Sequence, residues 1–544
     1  MDYFSYPYPS RRTVVMARRG MVATSQPLAA QAGLEVMQKG GNAIDAAVAT
    51  AAALTVLEPT SNGIGGDAFA IVYKDGSLFG LNASGPAPEA LTLETLQAYV
   101  KRYGLSDMPS VGWPAITVPG APAAWAALVR RFGRLPMTKV LTPAIRYAEE
   151  GYPVSPRVAF DWARALRRYE EARKLPHIRD EADLLTAWFR TFTKDGRPPR
   201  AGELVRFPHH AWTLQAIAET EGKAFYEGHL AEAIEAESVK YGGWLRGDDL
   251  KQFDVEWVEP LRVRYRGYEV IELPPNGHGL VALMALGMLG SGAWSEREQA
   301  LTYHVGIEAI KLAYADARAH LADIRYMRLK PEDLLDASYL KERYALIGPQ
   351  AEVRATGRPE AGGTVYLATA DGEGNMVSYI QSNYMGFGSG VVIPDTGIAL
   401  HNRGHNFSLE EGHPNVLVPG KRPYHTIIPG FLMKEGKPVG PFGVMGGFMQ
   451  PQGHVQVVMN MIDFALNPQA ALDAPRWQWI HGNKVALEYG VSRTVIEGLL
   501  KRGHDVHIEA ESGAFGRGQI IMRDAAGTLF GGSEPRADGG VAAW

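Results

Sequence analysis

Apolar residues recur with a helical period from Leu28 to Lys39, and the run stops at Gly40-Gly41, a glycine pair suited to closing a helix. Ala43 to Leu57 is the longest apolar run of the chain, and Asp45 is its one charged residue. Asn42 is placed to cap that stretch and Asp45 suits its first turn, which predicts a buried helix. At about fifteen residues it is short of the roughly twenty that a bilayer needs. Ala68 to Tyr73 and Leu78 to Leu81 alternate around Lys74-Asp-Gly-Ser77 and predict a hairpin. From about 120 to 330 the pattern is mainly helical, with segments at Ala121–Phe132, Leu141–Glu150, Ala211–Glu221 and Leu301–Ile324. Strands dominate again from Thr364, with helices at Gln452–Asn467 and near Ser492–Arg502. Strands at both ends with helices between predict one interleaved α/β body rather than separate beads. No internal repeat or low-complexity tract interrupts it.

One junction stands out. Leu346 to Gly363 is rich in Gly, Pro and charge, has no apolar period and reads as an exposed loop. It runs directly into Thr364-Val-Tyr-Leu-Ala-Thr-Ala370, a strand, then the turn Asp371-Gly-Glu-Gly374, then a second strand from Asn375 to Ser382. Taken alone, Gly362-Gly363 before a strand is ordinary hairpin chemistry. A leash meeting a strand at Gly363–Thr364 is also what self-cleavage at that bond requires. An N-terminal threonine carries a nucleophilic hydroxyl and an α-amine base on one residue. The amine, with a reference pKa of roughly 7.7–8.0, is far more available at neutral pH than a lysine near 10.4.

Composition narrows the classes. The chain has 544 residues, 46% hydrophobic and 21% charged, as in an ordinary soluble globular protein. The net charge of −4, with no basic run, argues against nucleic acid or a membrane surface as the main partner. Without cysteine there is no disulfide, thiolate metal site or cysteine nucleophile. The first twelve residues lack an apolar core after a basic start and do not read as a secretory signal, so a cytoplasmic location is the expectation. His-Glu-x-x-His and Gly-x-Ser-x-Gly are absent. His401 and His405 have a metal-like spacing only on a helix, and Gly404 between them reads as loop. Gly386-Phe-Gly-Ser-Gly390 lacks the helix a nucleotide loop needs. No metal or organic cofactor is expected.

A set of blocks then gives the junction its meaning. They are Gly20-Met-Val-Ala-Thr-Ser25, Gly40-Gly-Asn-Ala-Ile-Asp-Ala-Ala-Val48, Asn62-Gly-Ile-Gly-Gly-Asp67, Val118-Pro-Gly-Ala-Pro-Ala-Ala-Trp125, Lys421-Arg-Pro423, Gly446-Gly447 and Asp473-Ala-Pro-Arg476. Together with Thr364 they resemble the γ-glutamyltranspeptidase family of N-terminal-nucleophile hydrolases, in the family's order and across nearly the whole chain. The resemblance implies a four-layer αββα sandwich. It implies autocleavage into 1–363 and a small subunit 364–544 that carries the nucleophile, the two staying associated as one αββα unit. Whether copies of the protein form a homo-oligomer is left open.

The resemblance also implies roles. Thr364 is the catalytic nucleophile, and the Gly446 and Gly447 amides form the oxyanion hole. Asn383 matches the asparagine beside the nucleophile, and Gln381 falls where a supporting threonine is common, although the spacing there differs by one residue. The arginine that grips a glutamyl α-carboxylate falls near Ser84 and is missing. The serine pair falls on His425-Thr426, and the aspartate that grips the α-ammonium falls on Asn406. Arg403 and Arg422 are the available carboxylate clamps, with a structural role favoured for Arg422. Losing the aspartate disfavours a free γ-glutamyl group, since a desolvated ammonium without its partner costs several kcal/mol. The segment from Phe407 to Pro423 is short, so the lid of many members is missing. The expected substrate is a small amide with a carboxylate-bearing acyl group. Glutathione-like γ-glutamyl bonds, glutaryl (cephalosporin acylase-like) amides and oxamate-like amides are the alternatives, with hydrolysis favoured over transfer. A processed but catalytically idle binding protein is the alternative from another class.

Overall fold

The computed structural model describes residues 8, 12–181, 183–294, 296–353 and 363–544. The loop expected ahead of Thr364 lies outside the described residues between 354 and 362.

Two seven-stranded antiparallel sheets lie face to face. Their strands, in chain order, are β1 (Val15–Ala17), β2 (Gly20–Thr24), β3 (Asp67–Lys74), β4 (Ser77–Ala83), β5 (Glu256–Val258), β6 (Leu261–Tyr265), β7 (Tyr268–Glu272), β8 (Gly363–Asp371), β9 (Met376–Tyr384), β10 (Gly430–Lys434), β11 (Lys437–Met445), β12 (Arg517–Arg523), β13 (Leu529–Ser533) and β14 (Gly540–Ala543). One sheet has the order β1-β13-β12-β11-β10-β7-β6, the other β14-β2-β8-β9-β3-β4-β5. Each sheet mixes strands from before and after residue 363. In particular, β8 lies between β2 and β9.

Period-two alternation assigns the faces. Tyr366, Ala368 and Ala370 of β8, Ile380 of β9 and Phe69 and Ile71 of β3 meet Ile271, Phe431, Met445 and Ile521 of the opposing sheet in the core between the sheets. Val365, Leu367, Val377 and Tyr379 point the other way, into a helical layer containing α1 (Pro27–Gln38), α2 (Ala43–Leu57) and α3 (Pro156–Ala172). On the far side α4 (Gly279–Leu289), α5 (Ala300–His320) and α6 (Gln450–Ile462) cover Leu432, Phe442, Val444 and Ile520. The order helix, sheet, sheet, helix is the αββα sandwich.

Local chemistry fixes the frame around the junction. Asn42 accepts from the amides of Ile44 and Asp45 while Asp45 accepts from that of Asn42, a capping box worth about 1 kcal/mol. The helix it starts is buried throughout, and its alanines let it lie close to the sheet. Asp371 shapes the turn after β8, where its Oδ1 accepts from Glu373 N and Asn375 N. Its Oδ2 accepts from Ala43 N, which ties the far end of β8 to the start of α2.

Two departures from the sequence pattern have simple causes. The region expected to be mainly helical contains β6 and β7, joined through Arg266 and Gly267, both at positive φ (50° and 83°). That is the geometry of a two-residue hairpin turn. The helix expected to reach Ile324 ends at His320. Asp323 instead accepts from the backbone of Arg325 and Arg422, a capping role its short side chain fills better than a helix interior. Among the described residues no helix is long and apolar enough to cross a membrane.

Candidate active site

The ladder between β8 and β9 slips by one residue at its open end: Gly363 pairs with Tyr384, but Val365 pairs with Gln381. Before that slip, period-two alternation already puts Thr364, two residues from the inward Tyr366, on the inner face beside Ser382, two residues from the inward Ile380. Thr364 Oγ1 lies 3.0 Å from Ser382 Oγ, Ser382 Oγ donates to the Gly363 carbonyl at 2.9 Å, and the Tyr384 amide donates to Ser382 Oγ at 2.7 Å. A serine hydroxyl has one proton. It goes to Gly363 O, so the Thr364 hydroxyl donates to Ser382. One buried serine thus holds both the candidate nucleophile and the carbonyl of the bond ahead of it. Gln381 is not that support. It points outward, where its side chain meets Trp125, Tyr379 and Asn62. Asn383 also points outward, with its Nδ2 3.5 Å from Phe387 O. Its amide packs against the Asn62–Asp67 turn, where a Cβ on Gly63 would sit 2.8 Å from Asn383 Nδ2.

Next to Ser382 across the sheet is Asp67, its register partner on β3. Asp67 is fully buried and is held by two side chains through three contacts. Arg403 Nε donates to its Oδ2 at 2.8 Å, Arg403 Nη2 reaches Oδ1 at 3.3 Å, and His425 Nε2 lies 2.7 Å from Oδ2. Arg403 Nη1 also donates to Thr426 Oγ1 at 2.7 Å, and its guanidinium stacks 4.5 Å from the centre of the Tyr384 ring. Burial alone would raise the Asp67 pKa, but Arg403 and His425 outweigh it and hold the carboxyl ionised well below its ordinary range. His425 Nδ1 accepts from the Ile427 amide, so Nε2 carries the proton given to Asp67. Burial, then Arg403, push His425 down to about 4, leaving it neutral near pH 7. Tyr384 sits at φ 73°, a left-handed conformation that costs a non-glycine residue about 1–3 kcal/mol and is held by this packing.

Gly446 and Gly447 follow the last residue of β11 and lead through a short 3-10 turn into α6. Gly446 has φ 140° and Gly447 φ 58°, both closed to most side chains. A cleft of about 340 Å3 brings Gly446 and Gly363 into one wall. Its other walls carry Thr60, Ser61, Gly386 and a charged group from α3 and the C-terminal region: Arg157, Asp161, Arg164, Arg168, Glu511 and Arg517.

The remaining candidates have clear stations. Asn406 donates through Nδ2 to Tyr424 O at 3.0 Å. Arg422 is structural: Nε donates to Ser84 O and Nη1 to Glu256. Ser84 is buried against Asn82 and Asn276, with no arginine in its place. His401 Nδ1 accepts from the Arg403 amide while His405 Nδ1 lies 2.6 Å from Met108 O, so the two do not share a ligand position. A separate buried group, His304, Glu308 and His504, has the composition of a metal site. There Lys311 Nζ lies 2.6 Å from Glu308 Oε1 and already balances its charge. Ser382, Asp67 and Tyr384 were missing from the sequence-based candidates, as were the arginines of α3. Ser382 was legible in principle, since it lies two residues from the inward Ile380 on the same strand. The arginines carry no local motif.

A buried threonine, a glycine pair at a helix start and the αββα frame define an N-terminal-nucleophile hydrolase. The Gamma-glutamyltranspeptidase family model matches residues 29–544, and the chain belongs to that family. It is similar to the crystal structure of a cephalosporin acylase from Bacillus halodurans, at 56% identity and TM-score 0.93, covering 100% of this chain and 99% of that one. It is 37% identical to a glutathione hydrolase-like proenzyme of Bacillus subtilis over 96% of this chain and 98% of the relative. It is 34% identical to the oxamate amidohydrolase proenzyme of Klebsiella pneumoniae over 97% and 99%.

Proposed function

We propose that the chain cuts itself between Gly363 and Thr364, and that the freed Thr364 hydrolyses amides whose acyl group carries a carboxylate but no α-ammonium. The Ser382 bridge is the observation that carries this reading. Thr364 Oγ attacks the Gly363 carbonyl carbon and passes its proton to Ser382, while Ser382 passes its own to the carbonyl oxygen. The C–N bond then breaks, the Thr364 nitrogen takes a proton, and water hydrolyses the Gly363–Thr364 ester. In turnover the free Thr364 amine takes the hydroxyl proton and returns it to the leaving amine. The Gly446 and Gly447 amides, at the positive end of α6, stabilise the oxyanion. His425 is the rival base, and it is disfavoured because its one ring proton is given to Asp67 and its other nitrogen accepts from Ile427.

Asn406 in the place of an aspartate, and Ser84 in the place of an arginine, remove both charged grips on a γ-glutamyl head. A glutaryl-type amide is therefore favoured over glutathione. The relatives' names, a cephalosporin acylase and an oxamate amidohydrolase among them, are compatible with that choice. The purified protein is to be assayed with γ-glutamyl, glutaryl and oxamyl p-nitroanilides, with mass spectrometry of the fragment beginning at Thr364. The expected result is an acyl adduct on Thr364 and the highest kcat/KM for the glutaryl amide. Turnover by a Thr364→Ala chain would refute the mechanism, and a preference for γ-glutamyl would refute the specificity.

A further inference from the structure

The cleft beside Gly363 has more positive charge than its own carboxylates neutralise. Four guanidiniums, of Arg157, Arg164, Arg168 and Arg517, face two carboxylates, of Asp161 and Glu511, with Glu58 buried behind Arg517. Two of the four are spoken for. Arg157 bonds to Asp161 through Nε and Nη2 and to Glu511 through Nη1, and Arg517 Nη2 bonds to Asp161 at 2.7 Å. The other two are held more loosely, Arg164 only by long ion pairs. Arg164 Nη1 stays 3.8 Å from Asp161 and 3.9 Å from Glu511, beyond hydrogen-bond reach, and its side chain is half exposed. Arg168 has no ion-pair partner among the described residues. Its Nη1 donates to the neutral Met385 carbonyl at 2.5 Å. Arg164 and Arg168 are four residues apart on α3, so they stand on one face, one turn from each other. Arg168 also borders the scissile junction. A Cβ on Gly386 would lie 3.7 Å from Arg168 Nη1, and one on Gly363 would lie 2.9 Å from Gly386 N.

We propose that Arg164 and Arg168 form an anion subsite of this cleft that takes a carboxylate of the amide substrate, an inference that rests on the amidohydrolase reading above. Planar guanidiniums with unused N–H groups match a planar carboxylate. Arg403 is the less suitable clamp, since three of its five N–H groups are already given to Asp67 and Thr426. The carboxylate reaches the subsite from either side of the scissile amide, the acyl group or the leaving amine.

The test uses the processed enzyme, its Arg164→Gln and Arg168→Gln variants, the double variant and Arg168→Lys. Three amides separate the sources. Glutaryl p-nitroanilide carries its carboxylate on the acyl side, N-butyryl-5-amino-2-nitrobenzoate on the amine side, and butyryl p-nitroanilide carries none. The double variant is expected to lose roughly 100-fold in kcat/KM on one carboxylate-bearing substrate, about tenfold for each charge-assisted contact. Butyryl p-nitroanilide is expected to change less than about threefold on the same scale, and Arg168→Lys to recover part of the loss. Whichever charged substrate falls identifies the side. Equal losses on charged and uncharged substrates, or none on either charged one, overturn the subsite. Calorimetric binding of glutarate and of 5-amino-2-nitrobenzoate gives a readout free of turnover. Weaker binding of either by the double variant supports the subsite even if no amide is hydrolysed, a result that would instead sink the proposed function. Unchanged affinity for both overturns it.

Discussion

Replacing Ser382 with alanine isolates the step on which the self-processing reading depends. The hydroxyl donates to the Gly363 carbonyl and accepts from Thr364 and Tyr384. Each of these bonds contributes only about 1 kcal/mol net to stability, so the variant is expected to fold. The barrier to cleavage is another matter. Removing one donor from a developing oxyanion costs about 2.7–4 kcal/mol, or 10²–10³ in rate. Ser382→Ala should therefore purify mainly as one chain and cut itself at least 100-fold more slowly than the unaltered protein. Denaturing gels sampled over time follow the reaction. The 59.3 kDa chain should give pieces of about 40 and about 20 kDa, in proportion to residues before and after the bond. Ser382→Thr keeps the hydroxyl and should stay within roughly tenfold of the unaltered rate. Cleavage of Ser382→Ala within threefold of that rate, with circular dichroism unchanged, would show that Ser382 does not polarise the Gly363 carbonyl.

Three further outcomes are expected. If the Thr364 amine is the base, kcat/KM climbs with pH through an apparent pKa at or below roughly 8 and then levels. His425→Gln should leave that limb at the same pH, and its disappearance would assign the base to His425. His210 is buried among Phe192 and Phe207, and burial lowers it to about 3. A lowered histidine pKa means the unfolded chain takes up the extra proton, so its contribution to stability is complete above about pH 6.5 and falls as pH drops towards 3. Near pH 5 the loss is about 2 kcal/mol. His210→Leu should flatten that limb in denaturant titrations, and an unchanged slope refutes the assignment. Asn406→Asp removes a donor to the Tyr424 carbonyl and offers a carboxylate to an ammonium. It should raise the γ-glutamyl to glutaryl kcat/KM ratio about tenfold while lowering the melting temperature, and an unmoved ratio would place Asn406 away from the acyl group.

Much of the frame could be read from residue patterns. The Ala43–Leu57 helix and its Asn42 cap, the β3–β4 hairpin and the β8–β9 pair all follow from local rules of period and turn chemistry. Thr364 and the glycine pair stood out less through their local signatures, which on their own read as ordinary turns, than through the family blocks spread along the chain. The supporting residue did not. Alternation along β9 puts Ser382 on the inner face with Ile380 and Gln381 on the helix-facing side with Tyr379, but which of the two meets Thr364 depends on how β8 and β9 are paired, and that pairing is not written in either strand alone. Asp67 reads as one more polar residue in a glycine turn until β3 is seen paired with β9. Arg164 and Arg168 read as the solvated face of a helix, and only the tertiary fold turns that face towards Gly363.

The interleaving of the sheets has a consequence for how long the protein lasts. Strand β8, whose first bond is the proposed cleavage point, is zipped between β2, from the early part of the chain, and β9, from the late part. Before cutting, these partners search for each other within one molecule. Afterwards they are separate polymers, and any reunion must meet an association cost of several kcal/mol at micromolar concentration. The uncut chain holds the means to find this arrangement, and the cut discards it. The mature protein would then be folded once, and its working life would be set by how slowly it opens rather than by how readily it closes again.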